Sequence, residues 1–459
     1  MNTTHAAATS YDGRTFTFDP DDWTGRPGEL VRVDPASGPL VGQVRDARPG
    51  RRIGTGLVLG MVVDDGTVRL GHSEPFASAP MRPLTTAELT SFQEQRGAQL
   101  VVGSWRSGDV ETPLALRAQG FNRHTFLCGQ SGSGKTYALG VILEQLIMHT
   151  ELPIVVLDPN GDYVHLGTPR PDAPPAESAA IRAADIVVRH GRADGEEAIK
   201  VAFVHMPRHV QAAVLELDPV RDREEYNQWL HLQLTSGVGT MDDVTTALRN
   251  GPPAPRALGQ RIENLGVAEW DIWPWNLDHQ EPPPHRVTVL DVSTFRTAQE
   301  PLVTALDVVE RLWANREDRV PTLVVIDEAH NLCPAAPTTP LQTILTDRLI
   351  QIAAEGRKYG IWLLLSTQRP SKVHPQVTSQ CDNLVLMRMN SPADVEELGR
   401  LFGFVPPSML EVSPTFAQGE LLVAGVFTPV PIEGRVGPRI TVEGGSDVRV
   451  PMPPAPDGH

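Results

Sequence analysis

The sequence is organised around residues 124–136, which read HTFLCGQSGSGKT. A short apolar run leads into a loop that contains three glycines and ends in Lys135 and Thr136. The residues that follow are predicted to form a helix. Successive backbone N–H groups in such a loop can face one anion, and the N-terminus of the following helix adds positive potential. A GxxxxGKT loop between a strand and a helix therefore predicts a binding site for nucleotide phosphates.

The residues of this loop have different predicted roles. Gly132 and Gly134 allow the tight turn, Lys135 is expected to bind the β- and γ-phosphates, and Thr136 is expected to ligate Mg²⁺. The expected ligands are thus ATP and Mg²⁺. A glycine-rich turn can match the motif by chance, and the surrounding strand and helix argue against that alternative. The predicted nucleotide-binding residues are Gly129, Gln130, Ser131, Gly132, Ser133, Gly134, Lys135, Thr136 and, before the strand, Arg123.

Length and composition limit the class of protein. A chain of 459 residues is expected to form two or three domains. The net charge of −16 argues against a protein that coats nucleic acid with its whole surface, but it allows a local basic channel. Cys128, Cys333 and Cys381 lack metal-site spacing, and neither a signal peptide nor a membrane span is evident, so a cytoplasmic location is predicted.

The pattern of apolar, turn-forming and polar residues changes along the chain, and these changes predict the domain boundaries. Short β runs separated by turns, including an Asp65-Gly66 hairpin signal, indicate a small β-barrel, and Thr85 with Glu88 has the spacing of a helix capping box. The predicted segments are a flexible arm (1–28), the barrel (29–84), the first part of an ATPase core (85–166), a mostly helical insertion (167–285), the second part of the core (286–445) and a Pro-rich tail (446–459).

Strands that alternate with helices predict a parallel, doubly wound α/β sheet with a ligand site beyond the carboxyl ends of its strands. The runs ending in Asp327, Glu328 and Gln368 place polar groups there. Asp327, expected on a strand next to the P-loop strand, suits Mg²⁺ directly or through water, and Glu328 suits a general base. Gln368 could bond the attacking water or the γ-phosphate. Asp158 ends another apolar run, although an ordinary turn explains that position as well.

A basic turn supplies a further candidate for catalysis. Arg357 and Lys358 lie at the end of a predicted helix, where the helix dipole favours cations in any case. The sharper interpretation is that Arg357 acts as an arginine finger at the nucleotide of a neighbouring subunit. Arg123 and His124 are second candidates for contact with a phosphate or an interface.

Taken together, these motifs resemble the HerA/FtsK superfamily of hexameric RecA-like motor ATPases, and HerA in particular. The resemblance is carried, in this order, by GQSGSGKT (129–136), DPNGDY (158–163), VVIDEAHNL (324–332), EGRKYG (355–360) and STQRP (366–370). It implies a RecA-like core with a small N-terminal barrel and a helical insertion. It also implies that Lys135, Thr136, Asp327, Glu328 and Gln368 act in their own subunit and that Arg357 acts in the neighbour's site.

The resemblance further implies a homohexamer that pumps duplex DNA through its centre. Such motors are usually coupled to a nuclease or another effector, and the setting, DNA repair or anti-phage defence, stays open. A ring-shaped scaffold in which ATP binding assembles or gates an effector, with little translocation, is the alternative. The complete set of Lys135, Glu328 and Gln368 favours the motor.

Overall fold

The computed structural model describes residues 6–47, 52–107, 110–232, 241–250, 253–273 and 285–445. Helices and strands occur along this whole part of the chain. The strands are β1 (Ala6–Ser10), β2 (Thr15–Phe18), β3 (Leu30–Val33), β4 (Leu40–Asp46), β5 (Gly54–Val62), β6 (Val68–Leu70), β7 (Phe76–Pro83), β8 (Leu100–Ser107), β9 (Val110–Leu116), β10 (His124–Cys128), β11 (Ile154–Asp158), β12 (Ile186–His190), β13 (Val287–Asp291), β14 (Thr322–Ile326), β15 (Ile361–Thr367), β16 (Cys381–Leu386), β17 (Glu420–Gly425) and β18 (Ile432–Val436). The α-helices are α1 (Thr86–Gln95), α2 (Lys135–His149), α3 (Pro175–Ala183), α4 (Arg208–Val214), α5 (Arg223–His231), α6 (Met241–Arg249), α7 (Pro253–Leu265), α8 (Gln299–Ala314), α9 (Pro340–Glu355), α10 (Pro375–Thr378), α11 (Pro392–Leu401) and α12 (Pro407–Leu410).

The N-terminal strands close into a small barrel. Its order is β2-β1-β7-β3-β4-β5, with β5 pairing back to β2 and β6 attached to the edge of β5. Phe16 and Phe18 of β2 are buried in its core. The prediction of a barrel is therefore confirmed, but the predicted flexible arm is wrong for residues 6–18, because β1 and β2 are strands of the barrel. Their alternating small and apolar residues pack inward, a pattern that was hidden by polar neighbours.

A second, larger sheet holds the remaining strands. Its order is β12-β13-β11-β14-β15-β10-β16-β17-β18-β8-β9, and the seven strands from β12 to β16 are parallel. β15 lies between β10 and β14, so the expectation that Asp327 follows a strand next to the P-loop strand is wrong. The predicted insertion also contributes β12 to the sheet edge. The strands β8 and β9 extend the antiparallel end.

Helices cover both faces of the parallel part, which explains its continuous apolar strands. On β14, Val324 and Ile326 pack into one core with α8 and α9, whereas Leu323 and Val325 pack into the other core with α2. The helices α4 to α7 of the predicted insertion pack onto the first of these cores. The result is a sheet between two layers of helices, with the carboxyl ends of all seven parallel strands on the same side of the molecule.

The connection between barrel and core follows the predicted capping box. Thr85 accepts the N–H of Glu88, and the Glu88 carboxylate accepts the N–H of Thr85 in return. The 446–459 tail lies outside the described residues. No helix of the described ranges has both the length and the apolar character that crossing a membrane requires.

Candidate nucleotide site

The P-loop connects β10 to α2 through two left-handed glycines. Gly132 has φ +73° and Gly134 has φ +95°, backbone conformations that residues with a side chain rarely adopt. Gly134 is the N-cap of α2, so the helix begins directly at Lys135. The loop borders a cavity of about 670 Å³, a size typical of small-molecule sites. Its P-loop lining comprises Gln130, Ser131, Gly132, Gly134, Lys135 and Thr136.

The other two loop residues point away from this cavity. Ser133 is fully buried. A Cβ on Gly129 would lie 2.7 Å from both the Ser133 Oγ and the Met387 Cβ. Gly129 and Ser133 thus shape the loop from behind, while the other six residues face the space where a nucleotide would lie.

Because β10 and β14 run in the same direction, Asp327 and Glu328 lie at the same ends of the strands as the P-loop. The Lys135 Nζ lies 2.7 Å from the Asp327 Oδ1 and 3.2 Å from the Glu328 Oε1. It also donates to the Ser366 Oγ at 3.1 Å. Burial disfavours the charged lysine, but the two carboxylates outweigh that cost and raise the pKa of Lys135. The lysine is therefore charged at the point where phosphates would bind.

Glu328 has an unusual backbone and several polar neighbours. Its φ of +46° is uncommon for a residue with a side chain, and such conformations cluster at functional sites. The Gln368 Nε2 donates to its Oε1 at 2.8 Å. The His330 Nδ1 lies 3.3 Å from its Oε2 and 3.1 Å from the Thr367 Oγ1. Mainly because of burial, the pKa of His330 is lowered, which favours its neutral form beside Glu328.

The DPNGDY loop lies against the same site. The buried Asp158 carboxylate accepts the N–H groups of Asn160, Asp162 and Tyr163. Burial nevertheless raises its pKa to about 6. The loop brings Asp162 to the hydroxyl of Thr136, and burial followed by the charge of Asp327 raises the pKa of Asp162.

The oxygen donors at this edge suit a hard divalent cation. The Thr136 hydroxyl and the carboxylates of Asp327 and Asp162 lie around the start of α2. Mg²⁺ prefers oxygen ligands from one or two carboxylates together with substrate phosphates and water. The donor set therefore fits the Mg²⁺ that was predicted from the sequence, with Thr136 and Asp327 as the residues to hold it.

The two candidate arginines lie at the amino ends of the parallel strands, opposite the ends that carry the P-loop. Arg357 precedes β15 and bonds the Asp382 carboxylate at 2.5 Å, and the Arg123 Nε lies 3.5 Å from the same carboxylate. The strands that separate this edge from the P-loop are five to seven residues long, or about 15 to 20 Å. Arg123 is thus not a nucleotide-binding residue within its own chain, which corrects the prediction. Contact with a neighbour's nucleotide stays a prediction for both arginines.

His124 has a structural position. It is fully buried at the start of β10, and its Nδ1 accepts the N–H of Leu363 at 2.9 Å. Burial lowers its pKa to about 4, so the ring is neutral near pH 7. It does not reach the phosphate side of the sheet.

Several residues of the site were not identified from the sequence. Ser366 and His330 belong to quoted motifs, and only their contacts with Lys135 and Glu328 distinguish them. The far wall of the cavity comes from the end of the described chain and carried no recognisable signal. This wall comprises Gln418, Gly419, Arg435, Val436, Gly437, Pro438 and Glu443.

Comparisons with known proteins agree with this geometry. A family model described as the central domain of helicase HerA matches residues 100–232. The DNA double-strand break repair helicase HerA of Sulfurisphaera tokodaii is 21% identical over 385 residues, which cover 80% of this chain and 74% of the relative. These matches support the predicted resemblance to the HerA/FtsK superfamily. These similarities agree with the predicted class of protein, that of P-loop ATPases.

Other known proteins match over shorter stretches or at lower identity. A probable helicase of Methanocaldococcus jannaschii is 30% identical over 35% of this chain, and a probable HerA of the same organism is 28% identical over 28% of it. The chain spans only 30% and 25% of the length of these two relatives. The structure of VirB4 from Thermoanaerobacter pseudethanolicus matches 74% of this chain and 97% of its own, with a TM-score of 0.52 and 14% identity. That likeness supports the fold, and the predicted RecA-like fold class is confirmed.

Proposed function

We propose that this chain is a subunit of a ring-shaped ATPase that hydrolyses ATP at sites shared between neighbouring copies and moves along duplex DNA. The observation that carries the proposal is the contact network of Lys135, Asp327, Glu328 and Gln368 beside the P-loop. The ring is supported by the position of Arg357. This residue cannot reach the P-loop of its own chain, but it is exposed at the amino ends of the parallel strands.

In this proposal each side chain of the network has its own step. The phosphates of ATP would give Lys135 anionic partners in place of Asp327 and Glu328, and Thr136 and Asp327 would hold Mg²⁺. Bound Mg²⁺ neutralises charge that develops on the β- and γ-phosphates. Freed from Lys135, Glu328 can accept a proton from the attacking water while Gln368 orients the water or the γ-phosphate.

Duplex DNA is the proposed substrate of the motor. Relatives of this chain are named DNA double-strand break repair helicases. With a net charge of −16, the chain would bind DNA through a limited set of basic residues inside the ring, and its outer surface would repel DNA. A nuclease or another effector as partner, a cytoplasmic location, and a role in repair or anti-phage defence belong to the same proposal.

The test is ATP hydrolysis by the full chain with and without duplex DNA. We expect duplex DNA to stimulate turnover several-fold, and we expect the stimulation to fall as salt rises, because each phosphate contact releases counterions. Lys135→Ala serves as the control for contaminating ATPases. Hydrolysis that is indifferent to DNA at low salt, with DNA binding also absent, would instead favour an ATP-gated scaffold.

A further inference from the structure

The loop that follows β11 is folded tightly by its own first residue. The Asp158 carboxylate accepts three backbone N–H groups, at 3.2 Å from Asn160, 3.1 Å from Asp162 and 2.8 Å from Tyr163. Gly161 supplies the left-handed turn, with φ +74°. These bonds fix the direction in which the side chains of Asp162 and Tyr163 leave the backbone.

Both side chains contact residues that are expected to hold Mg²⁺. The Thr136 hydroxyl donates to the Asp162 Oδ2 at 3.4 Å, and the Tyr163 hydroxyl donates to the Asp327 Oδ2 at 3.5 Å. Tyr163 is fully buried, so its position is fixed by packing. The loop therefore contacts both predicted metal-binding residues, and it contacts Asp327 through the carboxylate oxygen that Lys135 does not bind.

The last described segment holds the loop in place. The Gly444 N–H donates to the Asp162 carbonyl at 3.1 Å. The approach is so close that a Cβ on Gly444 would lie 2.0 Å from the Gly161 carbonyl oxygen. Asp162 is thus held by β11 on one side and by residues near Gly444 on the other, which suits a residue that must keep a fixed orientation.

We propose that Asp162 positions the Thr136 hydroxyl for Mg²⁺. A hydroxyl that donates its proton to a carboxylate keeps its lone pairs free for a metal, and the negative charge of the carboxylate makes the oxygen a better ligand. Partners of this kind, which contact a ligand and not the metal, are worth about 10- to 100-fold in metal affinity. This inference rests on the proposed ATPase function.

The experiment measures metal affinity apart from turnover. Mn²⁺ is titrated into the full chain saturated with ADP, and free Mn²⁺ is followed by electron paramagnetic resonance. Asp162→Asn should weaken Mn²⁺ binding about 10-fold or more, and Asp162→Glu, which keeps a carboxylate, should recover part of it. Binding of ADP in the presence of EDTA should be unchanged in both variants.

Asp65→Asn is the matched control, because it makes the same chemical change at an exposed carboxylate of the barrel, which contacts Thr67 and does not line the nucleotide cavity. Its Mn²⁺ affinity should equal that of the wild type. Wild-type Mn²⁺ affinity in Asp162→Asn would overturn the inference. Equal loss of ADP binding with EDTA would also overturn it, since that result indicates a purely structural role. Failure of the wild-type chain to bind any nucleotide would instead overturn the proposed function itself.

Discussion

At the scale of single residues, Glu328 combines the features expected of a general base. Its backbone is held at φ +46°, and its carboxylate is buried within reach of Lys135, Gln368 and His330. A left-handed conformation of a residue with a side chain costs about 1 to 3 kcal/mol, which the surrounding packing must offset. In this conformation the Glu328 Oε1 lies 3.2 Å from the Lys135 Nζ at the end of the P-loop.

Exchanging Glu328 for Gln should separate binding from chemistry. Glu328→Gln keeps the shape of the side chain but removes its ability to take a proton, so ATP binding should persist while turnover falls by about 10² or more. Lys135→Ala should impair nucleotide binding or hydrolysis. Single-turnover hydrolysis and equilibrium binding of a fluorescent ATP analogue measure the two effects. Turnover near the wild-type rate in Glu328→Gln would remove this residue from the role of base.

Sequence predicts these residues unequally. Lys135, Thr136, Asp327 and Glu328 follow from local motifs, since the spacing of a P-loop and the polar end of an apolar strand are visible in a short window. Ser366 could not be selected in the same way, because its contact with Lys135 depends on the alignment of strands that are far apart in sequence.

At the scale of elements, the segment after β18 is attached to α2 by a buried ion pair. The Arg439 Nε lies 3.4 Å from the Glu144 Oε1, and both side chains are almost completely buried. Glu144 also accepts the N–H groups of Ile440 and Thr441. A Cβ at Gly140 of α2 would lie 2.6 Å from the Arg439 guanidinium carbon, so the glycine makes room for the arginine. The P-loop helix and one wall of the cavity are thereby joined.

Breaking this pair should destabilise the protein strongly. Arg439→Met leaves the Glu144 carboxylate buried without its cation, which should lower the free energy of unfolding by about 3 kcal/mol or more. The matched control is Arg400→Met, which breaks the exposed pair with Glu396 and should cost less than about 1 kcal/mol. Thermal unfolding compares the two variants. Equal stability of the two variants would contradict the structural role of Arg439.

The elements themselves were more predictable than their arrangement. The apolar runs that end in Asp158, Asp327 and Gln368 predicted the strands β11, β14 and β15, because both faces of these strands are buried. Their order was not accessible, since β15 inserts between β10 and β14 although it follows both in sequence. The strands β1 and β2 were missed because isolated short strands acquire their stability only when the barrel closes.

At the scale of the whole molecule, the sheet separates two kinds of charged residue. The carboxyl ends of the parallel strands carry Lys135 with the carboxylates of Asp327 and Glu328. The amino ends carry Arg357 and Arg123 around Asp382. The side chain of Arg357 is 36% exposed, so a neighbouring chain can approach it. In a ring where the amino ends of the strands of one subunit face the P-loop of the next, each ATP would lie between the P-loop of one copy and Arg357 of its neighbour.

Mixing two inactive variants tests this shared site most directly. Arg357→Ala and Lys135→Ala should each abolish ATP hydrolysis, but co-assembled rings contain interfaces where an intact Lys135 faces an intact Arg357, and these should recover part of the activity. A mixture of Lys135→Ala with Glu328→Gln should stay inactive, because every site then lacks a residue of its own chain. Full activity of Arg357→Ala alone, or no recovery in the first mixture, would contradict a site shared between copies.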